Sequence, residues 1–175
     1  MPVTYESIAT NTLSNDATSI TFTGISQNYT DLIVVARMSG YYGSATYIEC
    51  GIQVGNGGID TGNNYSSTII YTDSPYSAGR TNQNYVAYYC VGTPSNDTQR
   101  STVTFNLNNY SNATTFKPIL IKDTNMQQTN AVNNNTVTIG TWRSTSAINQ
   151  VRISNQNGTN LYSGTTITLY GILAA

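Results

Sequence analysis

Few side chains in this sequence could carry acid–base chemistry, and histidine is not among them. The 175 residues include 8 Asp and Glu, 7 Lys and Arg, and no His. Without an imidazole, neither a Ser-His-Asp nor a Cys-His arrangement can form. A glycosidase would need two carboxyl groups held across a cleft. No spacing singles out such a pair among Glu6, Asp16, Asp31, Glu49, Asp60, Asp73, Asp97 and Asp123. We therefore predict that the protein is not an enzyme and has no catalytic residues.

Metal and cofactor chemistry has little support in the sequence. Cys50 and Cys90 each lie inside an apolar run, which is typical of small buried side chains. A disulfide or a metal-binding pair is the alternative, although no histidine could complete a zinc site. A calcium site gathers several carboxylate or carbonyl oxygens, whereas residues 58–64 contain one acid, Asp60. We predict no metal and no cofactor.

Tyrosine is the residue type with the strongest functional signal, with 14 copies against three Phe and one Trp. A Tyr ring packs while its hydroxyl stays free to bond, which suits polar interfaces and stacking on sugars. The alternative is that Tyr fills strand edges in an Asn- and Thr-rich sandwich. The Gly- and Asn-rich segment 55–64 is the longest predicted flexible loop, and such loops on a β scaffold commonly carry recognition. The predicted interface residues are Tyr41, Tyr42, Tyr76, Tyr85, Asp60, Asn63 and Asn64.

Apolar residues at every second position predict β-strands along the whole chain. The denser runs 32–38 and 119–121 predict strands buried on both faces. Turn-forming Gly, Asn, Asp and Ser separate the runs, and no window repeats at helical spacing. The alternation predicts that these residues point inward: Ile20, Phe22, Val34, Ala36, Val103, Phe105, Leu107, Ile139, Val151, Ile153 and Leu169.

About ten short strands at this spacing predict an all-β protein, an antiparallel sandwich of the jelly-roll type. No shift in composition marks a boundary, so residues 1–175 are predicted to form one domain. The apolar share is only 38%, but the net charge of -1 favours an ordered domain over disorder.

The charge pattern argues against nucleic acid as a partner, because the 7 basic residues are scattered singly rather than clustered. No apolar run approaches the length needed to cross a bilayer, so membrane insertion is not expected. The first ten residues lack both a basic start and an apolar core, so we expect no signal peptide.

Several short segments follow one another in an order that extends through nearly the whole chain. They are YESIA (5–9), SITF (19–22), YTDL (29–32), NYS (64–66), YSNATTFK (110–117), GTWRSTSAI (140–148) and GTTITLYGI (164–172). This order resembles a family of small virion surface proteins of tailed bacteriophages, many of them from marine and freshwater bacteria, including cyanophage-type phages.

The resemblance implies a jelly-roll-type sandwich used in capsid decoration or as a fibre or adhesin module, with no catalytic residues to transfer. The most distinctive pair is Trp142 and Arg143. We expect structural roles for both, with Trp142 packed in or near the core and Arg143 bonded to a neighbouring turn.

The function expected first is a non-enzymatic capsid decoration or cement protein on the phage head, bound to the major capsid protein. The alternative is a receptor-binding adhesin or tail-fibre module that binds host surface glycans. Because charges that could protect edge strands are scarce, we also expect a homo-oligomer, a trimer above all. Either role places the protein on the virion surface after synthesis in the host bacterial cytoplasm.

Overall fold

The computed structural model describes residues 5–41, 47–71, 77–92, 99–124 and 135–173, and this part of the chain is built from strands without helices. The strands are Tyr5–Thr12 (β1), Ser19–Phe22 (β2), Asp31–Met38 (β3), Tyr47–Gly55 (β4), Tyr65–Tyr71 (β5), Ser77–Gln83 (β6), Val86–Val91 (β7), Ser101–Asn108 (β8), Lys117–Thr124 (β9), Thr136–Trp142 (β10), Gln150–Asn155 (β11) and Thr166–Ile172 (β12). Within these ranges no helix is long and apolar enough to span a membrane.

The strands form two antiparallel sheets, as the alternating sequence pattern predicts. The larger sheet has eight strands in the order β1-β12-β3-β8-β9-β10-β5-β6, and the smaller has four in the order β2-β11-β4-β7. One face of each sheet lines a shared apolar core, so the molecule is a β-sandwich. The predicted fold class is confirmed.

Twelve strands are present in the described ranges instead of about ten, and the apolar alternation had missed three of them. Strands β1 and β6 are the two edges of the larger sheet and are mostly exposed. An edge strand contributes few side chains to the core, so its sequence need not alternate. Strand β5 does alternate, but Ser67 lies between Tyr65 and Ile69 on its inward face, so the apolar signal is weak.

The core contains all of the residues predicted to point inward except Ile139. Its centre includes an edge-to-face pair of rings, Tyr88 from β7 and Phe105 from β8, with centroids 4.9 Å apart. Such a pair contributes about 0.5–1.5 kcal/mol beyond the burial of its area. The larger sheet is thereby packed directly against the edge strand of the smaller one.

The prediction for Ile139 was wrong, because the other set of alternating β10 residues faces the core. Ile139 is 55% exposed, whereas Thr138 and Trp142 lie inside. The reason is Gly140, which faces the core against Val86: a Cβ at Gly140 would lie 2.6 Å from Val86 Cγ1. Only glycine fits at this contact, and the contact together with the buried Trp142 fixes the phase of the strand.

The prediction that the runs 32–38 and 119–121 are buried on both faces was also wrong. Both strands alternate between buried and partly exposed positions, so their second face is open to solvent.

Two rows of side chains cross six strands on this outer face of the larger sheet. The first row is Tyr170, Ile33, Asn106, Leu120, Ile139 and Thr68. The second row is Thr168, Val35, Thr104, Lys122, Val137 and Ile70.

The free edge of β7 is closed by side chains of the larger sheet. The backbone N–H of Tyr89 donates to Asp123 Oδ2 at 3.3 Å, and that of Val91 donates to Ser101 Oγ at 2.7 Å. Both acceptors are buried. Edge groups satisfied in this way are not available for pairing with another strand.

Candidate functional site

The structure separates the residues that the sequence marked as an interface. Asp60, Asn63 and Asn64 lie together in the connection between β4 and β5. Tyr85 precedes β7, and Tyr41 follows β3 at 43% exposure. The predicted interface positions Tyr42 and Tyr76 lie outside the described residues.

The connection 55–64, predicted to be flexible, is tied to the sandwich through Asp60. Its carboxylate accepts hydrogen bonds from Trp142 Nε1 at 2.7 Å, Asn64 Nδ2 at 2.9 Å and the Gly62 N–H at 2.8 Å. Burial alone would raise the pKa of Asp60, but these bonds outweigh it and hold the pKa below its ordinary value. A carboxylate surrounded by N–H donors serves as an anchor, whereas a calcium site would need further oxygen ligands.

The structural roles expected for Trp142 and Arg143 are confirmed. Trp142 is 3% exposed and packs in the core. Arg143 Nη2 donates to the Asn63 carbonyl at 2.6 Å and to Asn82 Oδ1 at 2.7 Å. These two residues therefore hold both ends of the segment 60–64, Trp142 at Asp60 and Arg143 at Asn63 and Asn64.

Tyr85 belongs to a compact polar group that we call the Glu49 cluster, made of Glu49, Arg80, Tyr85 and Tyr89. Arg80 forms a two-pronged ion pair with Glu49, through Nη1 at 2.5 Å and Nη2 at 3.1 Å. The hydroxyl of Tyr85 donates to Glu49 Oε1 at 2.6 Å, and Arg80 Nη2 also reaches the Tyr89 hydroxyl at 3.1 Å. Strand β6 thus reaches across the edge of β7 to the outer face of the smaller sheet.

The charges in the Glu49 cluster are balanced within the cluster. Burial would raise the pKa of Glu49, but the hydrogen bonds from Arg80 and Tyr85 lower it below its ordinary value. Burial and the neighbouring carboxylate raise the pKa of Tyr85 to about 12. Both groups therefore keep their states through the neutral range, with Glu49 ionised and Tyr85 protonated.

Two more tyrosine rings extend the Glu49 cluster. Tyr47 lies edge-to-face on Tyr89 with centroids 5.3 Å apart, and Tyr71 lies 6.0 Å from Tyr89 in a tilted arrangement. Tyr47 is 44% exposed. The cluster therefore presents aromatic surface to solvent beside a set of fixed polar groups.

A polar groove of about 270 Å³ lies on the outer face of the smaller sheet. It is lined by Thr18, Ser19, Gln53, Thr61, Asn84, Arg152, Ser154, Asn155 and Gln156. All of these side chains are polar, and Arg152 is the one that carries a charge. Ligand pockets for apolar molecules are mostly lined by hydrophobic side chains, so this lining suits a ligand rich in hydroxyl or carboxyl groups.

Hydrogen bonds fix the planar side chains that form the base of the polar groove. Gln53 is 2% exposed and donates from Nε2 to the Asn84 carbonyl at 2.8 Å. Its Oε1 accepts from Arg152 Nε at 2.9 Å and Nη2 at 2.5 Å. Gln156 Nε2 donates to Ser154 Oγ at 2.7 Å. The base of the groove is thus a preorganised set of amide and guanidinium groups.

Tyr85 joins the polar groove to the Glu49 cluster over Gly51. A Cβ at Gly51 would lie 2.6 Å from Gln156 Nε2 and 2.9 Å from Tyr85 Cδ2. Both side chains therefore pack directly on this glycine. Because Gly51 has no side chain, the Tyr85 ring can approach the backbone of β4 closely at the border of the groove.

Tyr41 lines a second cavity, of about 480 Å³, on the other side of the loop that follows β11. Asp16, Gly158, Thr159, Asn160 and Tyr162 complete its lining. The loop is tied to both cavities, because Asn155 lines the groove and donates to Thr159 Oγ1 at 2.9 Å. The cavity is thus a neighbour of the polar groove and not part of the Glu49 cluster.

The two cysteines are free thiols inside the core, with their Sγ atoms 3.2 Å apart. Their burial fits the interpretation as small apolar side chains. Within the described ranges, no three Cys, Asp or Glu side chains are grouped in a way that could hold a metal ion.

Sequence reasoning named Tyr85 but missed Glu49, Gln53, Arg80 and Arg152. One signal was present, because alternation that places Ile52 and Ile153 inward also places Gln53 and Arg152 outward. Their proximity depends on the pairing of β4 with β11, where Gln53 lies opposite Arg152. That pairing of distant strands has no local sequence signature.

No protein family and no curated protein matches the sequence. Among solved structures, the exoplasmic/lumenal domain of VIP36, bound to Ca²⁺ and Man3GlcNAc, aligns with 98% of this chain and 84% of its own at 9% identity and a TM-score of 0.43. A legume lectin-like domain from Entamoeba histolytica aligns over 90% and 91% at 12% identity and a TM-score of 0.35. The carbohydrate recognition domain of Emp47p aligns over 99% and 90% at 10% identity and a TM-score of 0.33. With TM-scores this low, no ligand or residue role is transferred from these proteins.

Proposed function

We propose that this protein is a non-catalytic glycan-binding domain and that the outer face of the four-stranded sheet is its binding surface. The observation that carries the proposal is the polar groove, in which fixed amide and guanidinium groups surround a space of about 270 Å³. A sugar presents many hydroxyl groups that both donate and accept, and Asn, Gln and Arg side chains are matched to them.

Preorganisation supports this assignment. The Gln53 side chain is held between the Asn84 carbonyl and the Arg152 guanidinium. A ligand that bonds to these groups does not have to order them first, which lowers the entropic cost of binding. Hydrogen bonding to fixed, partly buried groups also gives specificity, because an unmatched ligand would leave those groups unpaired.

The aromatic ring at the rim provides the second element of sugar recognition. The Tyr85 ring packs on Gly51 beside Gln156, which lines the groove. The apolar C–H face of a pyranose packs on such a ring while its hydroxyls reach polar neighbours. The bond to Glu49 holds the Tyr85 ring in this place.

A catalytic role has less support from the same geometry. Among the described residues that line the two cavities, the polar groove has no carboxyl group and the cavity beside Tyr41 has one, Asp16. Hydrolysis of a glycosidic bond commonly uses two carboxyl groups on either side of the bond. Binding without turnover is the function that these residues favour.

The proposal is tested with the purified chain and a panel of neutral and acidic polysaccharides in affinity electrophoresis, with titration calorimetry for those that bind. We expect at least one polysaccharide to bind and the Tyr85→Ala variant to bind about tenfold more weakly, through loss of stacking. Tyr85→Phe keeps the ring but loses the bond to Glu49, so its affinity should lie between those of the parent and Tyr85→Ala. Tyr170→Ala, on the outer face of the larger sheet, is the matched control and should bind like the parent. Absence of binding across the panel, or equal loss with Tyr170→Ala, would contradict the proposal.

A second function, attachment to a tailed-phage particle, is favoured by the outer face of the eight-stranded sheet. The two rows that cross this face bring together Leu120, Ile139, Val137 and Ile70, while Asn106 separates Ile33 from this group. A contiguous exposed apolar surface of this kind marks protein contact sites. In this proposal the face binds the major capsid protein or a tail component, as the resemblance to virion surface proteins suggests, and the opposite face remains free for host glycans.

The attachment proposal is tested with labelled protein added separately to undecorated phage heads, to tails and to host cells. Apolar contacts are little screened by salt, so binding to particles should persist when NaCl rises to about 0.5 M. Ile139→Lys should abolish that binding and leave glycan binding unchanged. If neither heads nor tails bind the parent protein, the attachment proposal is wrong. The location on the virion surface stays a prediction that the same experiment addresses, and the homotrimer stays a prediction that light scattering of the purified protein tests.

A further inference from the structure

We infer that the glycan recognised by the polar groove is acidic and that Arg152 binds its carboxylate. This inference rests on the proposed glycan-binding function and names the class of sugar. It starts from the charges in the groove: of the nine side chains that line it in the described part of the chain, Arg152 is the one that carries a charge, and this charge is positive.

The orientation of the Arg152 guanidinium is the first argument. Gln53 Oε1 accepts from both Nε and Nη2, so it occupies one edge of the planar group. The edge formed by Nη1 and the second hydrogen of Nη2 has no partner among the described residues. An arginine binds a carboxylate through two parallel N–H groups on one edge, and this remaining edge has that geometry.

The rigidity of Arg152 is the second argument. Gln53, which holds the guanidinium, is itself buried and donates to the Asn84 carbonyl at 2.8 Å. Arg152 is therefore placed by a neutral side chain and not by an acid. Arg152 has no carboxylate partner among the described residues, so its charge stays available to a ligand, whereas the Arg80 charge is paired with Glu49 at 2.5 Å.

The surrounding acids do not oppose a bound anion strongly. Glu49 is paired with Arg80, and the Asp60 carboxylate accepts three N–H donors. Asp16 lines the neighbouring cavity and not the groove. Ser19, Ser154 and Thr18 supply small hydroxyl groups around Arg152 for the other oxygens of the sugar.

The test compares the intact protein on polygalacturonate, alginate and hyaluronate with the same polymers after chemical reduction of their carboxyl groups to alcohols. Calorimetry should show that carboxyl reduction weakens binding of the best acidic polymer by about tenfold or more, the value of a charge-assisted hydrogen-bond pair. Raising NaCl from about 0.05 M to about 0.5 M should weaken binding of the acidic polymer more than binding of its reduced form.

Two variants at Arg152 and one control locate the effect. Arg152→Gln should lower affinity for the acidic polymer about tenfold and leave the reduced polymer unaffected, because it removes the charge and keeps a donor for Gln53. The affinity of Arg152→Lys for the acidic polymer should lie between those of the parent and Arg152→Gln, since lysine keeps the charge without the planar guanidinium. Arg37→Gln removes an equal charge from the outer face of the larger sheet and should bind like the parent. Thermal unfolding of each variant verifies that it is folded.

The outcomes separate this inference from the proposed function. Equal affinity for a polymer and its reduced form, or unchanged binding by Arg152→Gln, would overturn the inference while leaving glycan binding intact. Binding to neutral polysaccharides alone would do the same. Failure of every polysaccharide to bind would overturn the proposed function and this inference together.

Discussion

Trp142 Nε1 donates a hydrogen bond to the carboxylate of Asp60, 82 positions earlier in the chain, at 2.7 Å. The bond joins the end of β10 to the connection between β4 and β5, whose residue Thr61 lines the polar groove. A contact that stabilises this connection therefore also places one wall of the candidate site.

The first prediction concerns that bond. Asp60→Asn and Trp142→Phe should each lower the free energy of unfolding by about 1–3 kcal/mol, since each leaves a charge-assisted bond unmade. The double variant should be less destabilised than the sum of the two, because both remove the same interaction. Urea unfolding of the four proteins measures this. Strictly additive losses would show that the two side chains do not interact.

The second prediction is a pH dependence of stability caused by Asp123. Burial raises the pKa of Asp123 to about 6 from 3.8, despite hydrogen bonds from Thr136 and Tyr89. Between about pH 4 and pH 6 the unfolded chain has released this proton and the folded chain still holds it, so the free energy of unfolding falls as the pH rises. The fall is about 3 kcal/mol at most, and it is complete above about pH 6.

Urea unfolding at a series of pH values measures this effect. Asp123→Asn should flatten the curve between about pH 4 and pH 6. The exposed variant Asp16→Asn is the control and should keep the parental slope. A parent protein whose stability rises throughout this interval would contradict the burial of an acid with a raised pKa.

The sequence correctly predicted the inward residues of strands whose apolar alternation is strong. It gave the wrong inward face where either set of alternating residues could face the core. In β3 and β8, inward Val34 and Phe105 follow directly from the pattern. In β10, Val137 and Ile139 formed the more apolar set, but Gly140 and Trp142 take the core face. The choice depends on the contact of Gly140 with Val86, which no local pattern contains.

The candidate site was predictable to the same limited extent. Tyr85 could be named because a tyrosine beside a loop suits recognition. Its partner Glu49 lies 36 positions away, and Gln53 and Arg152 are 99 positions apart. Such pairs form only after distant strands are aligned, so their meeting could not be deduced from spacing.

The third prediction tests the phase of β10. Gly140→Ala should lower the free energy of unfolding by about 1–3 kcal/mol, since its Cβ would lie 2.6 Å from Val86 Cγ1. Val86→Ala removes the obstructing carbons, so the double variant should be less destabilised than the two single losses added together. If Gly140→Ala is as stable as the parent, the close contact does not exist.

The fourth prediction concerns the thiols of Cys50 and Cys90. Both are buried, and burial together with the neighbouring Cys50 raises the pKa of Cys90 well above its ordinary value. The folded, reduced protein should therefore react very slowly with an aromatic disulfide reagent, because the thiolate is the reactive form. Unfolding in guanidinium should expose two thiols per chain. Rapid reaction of the folded protein would contradict their burial.

The central claim, that the outer face of the four-stranded sheet binds a glycan, is tested most directly by NMR of ¹⁵N-labelled protein. The label is followed while the polysaccharide fragment with the highest affinity in the panel is added. We predict that the amide signals that shift are those of Gly51, Gln53, Ala87, Arg152 and Ser154, which alternate with core residues of β4, β7 and β11 and pair across this face. Signals of Ile33, Thr104 and Ile139 on the opposite face of the sandwich should stay in place. Shifts confined to that opposite face, or none at saturating ligand, would contradict the account.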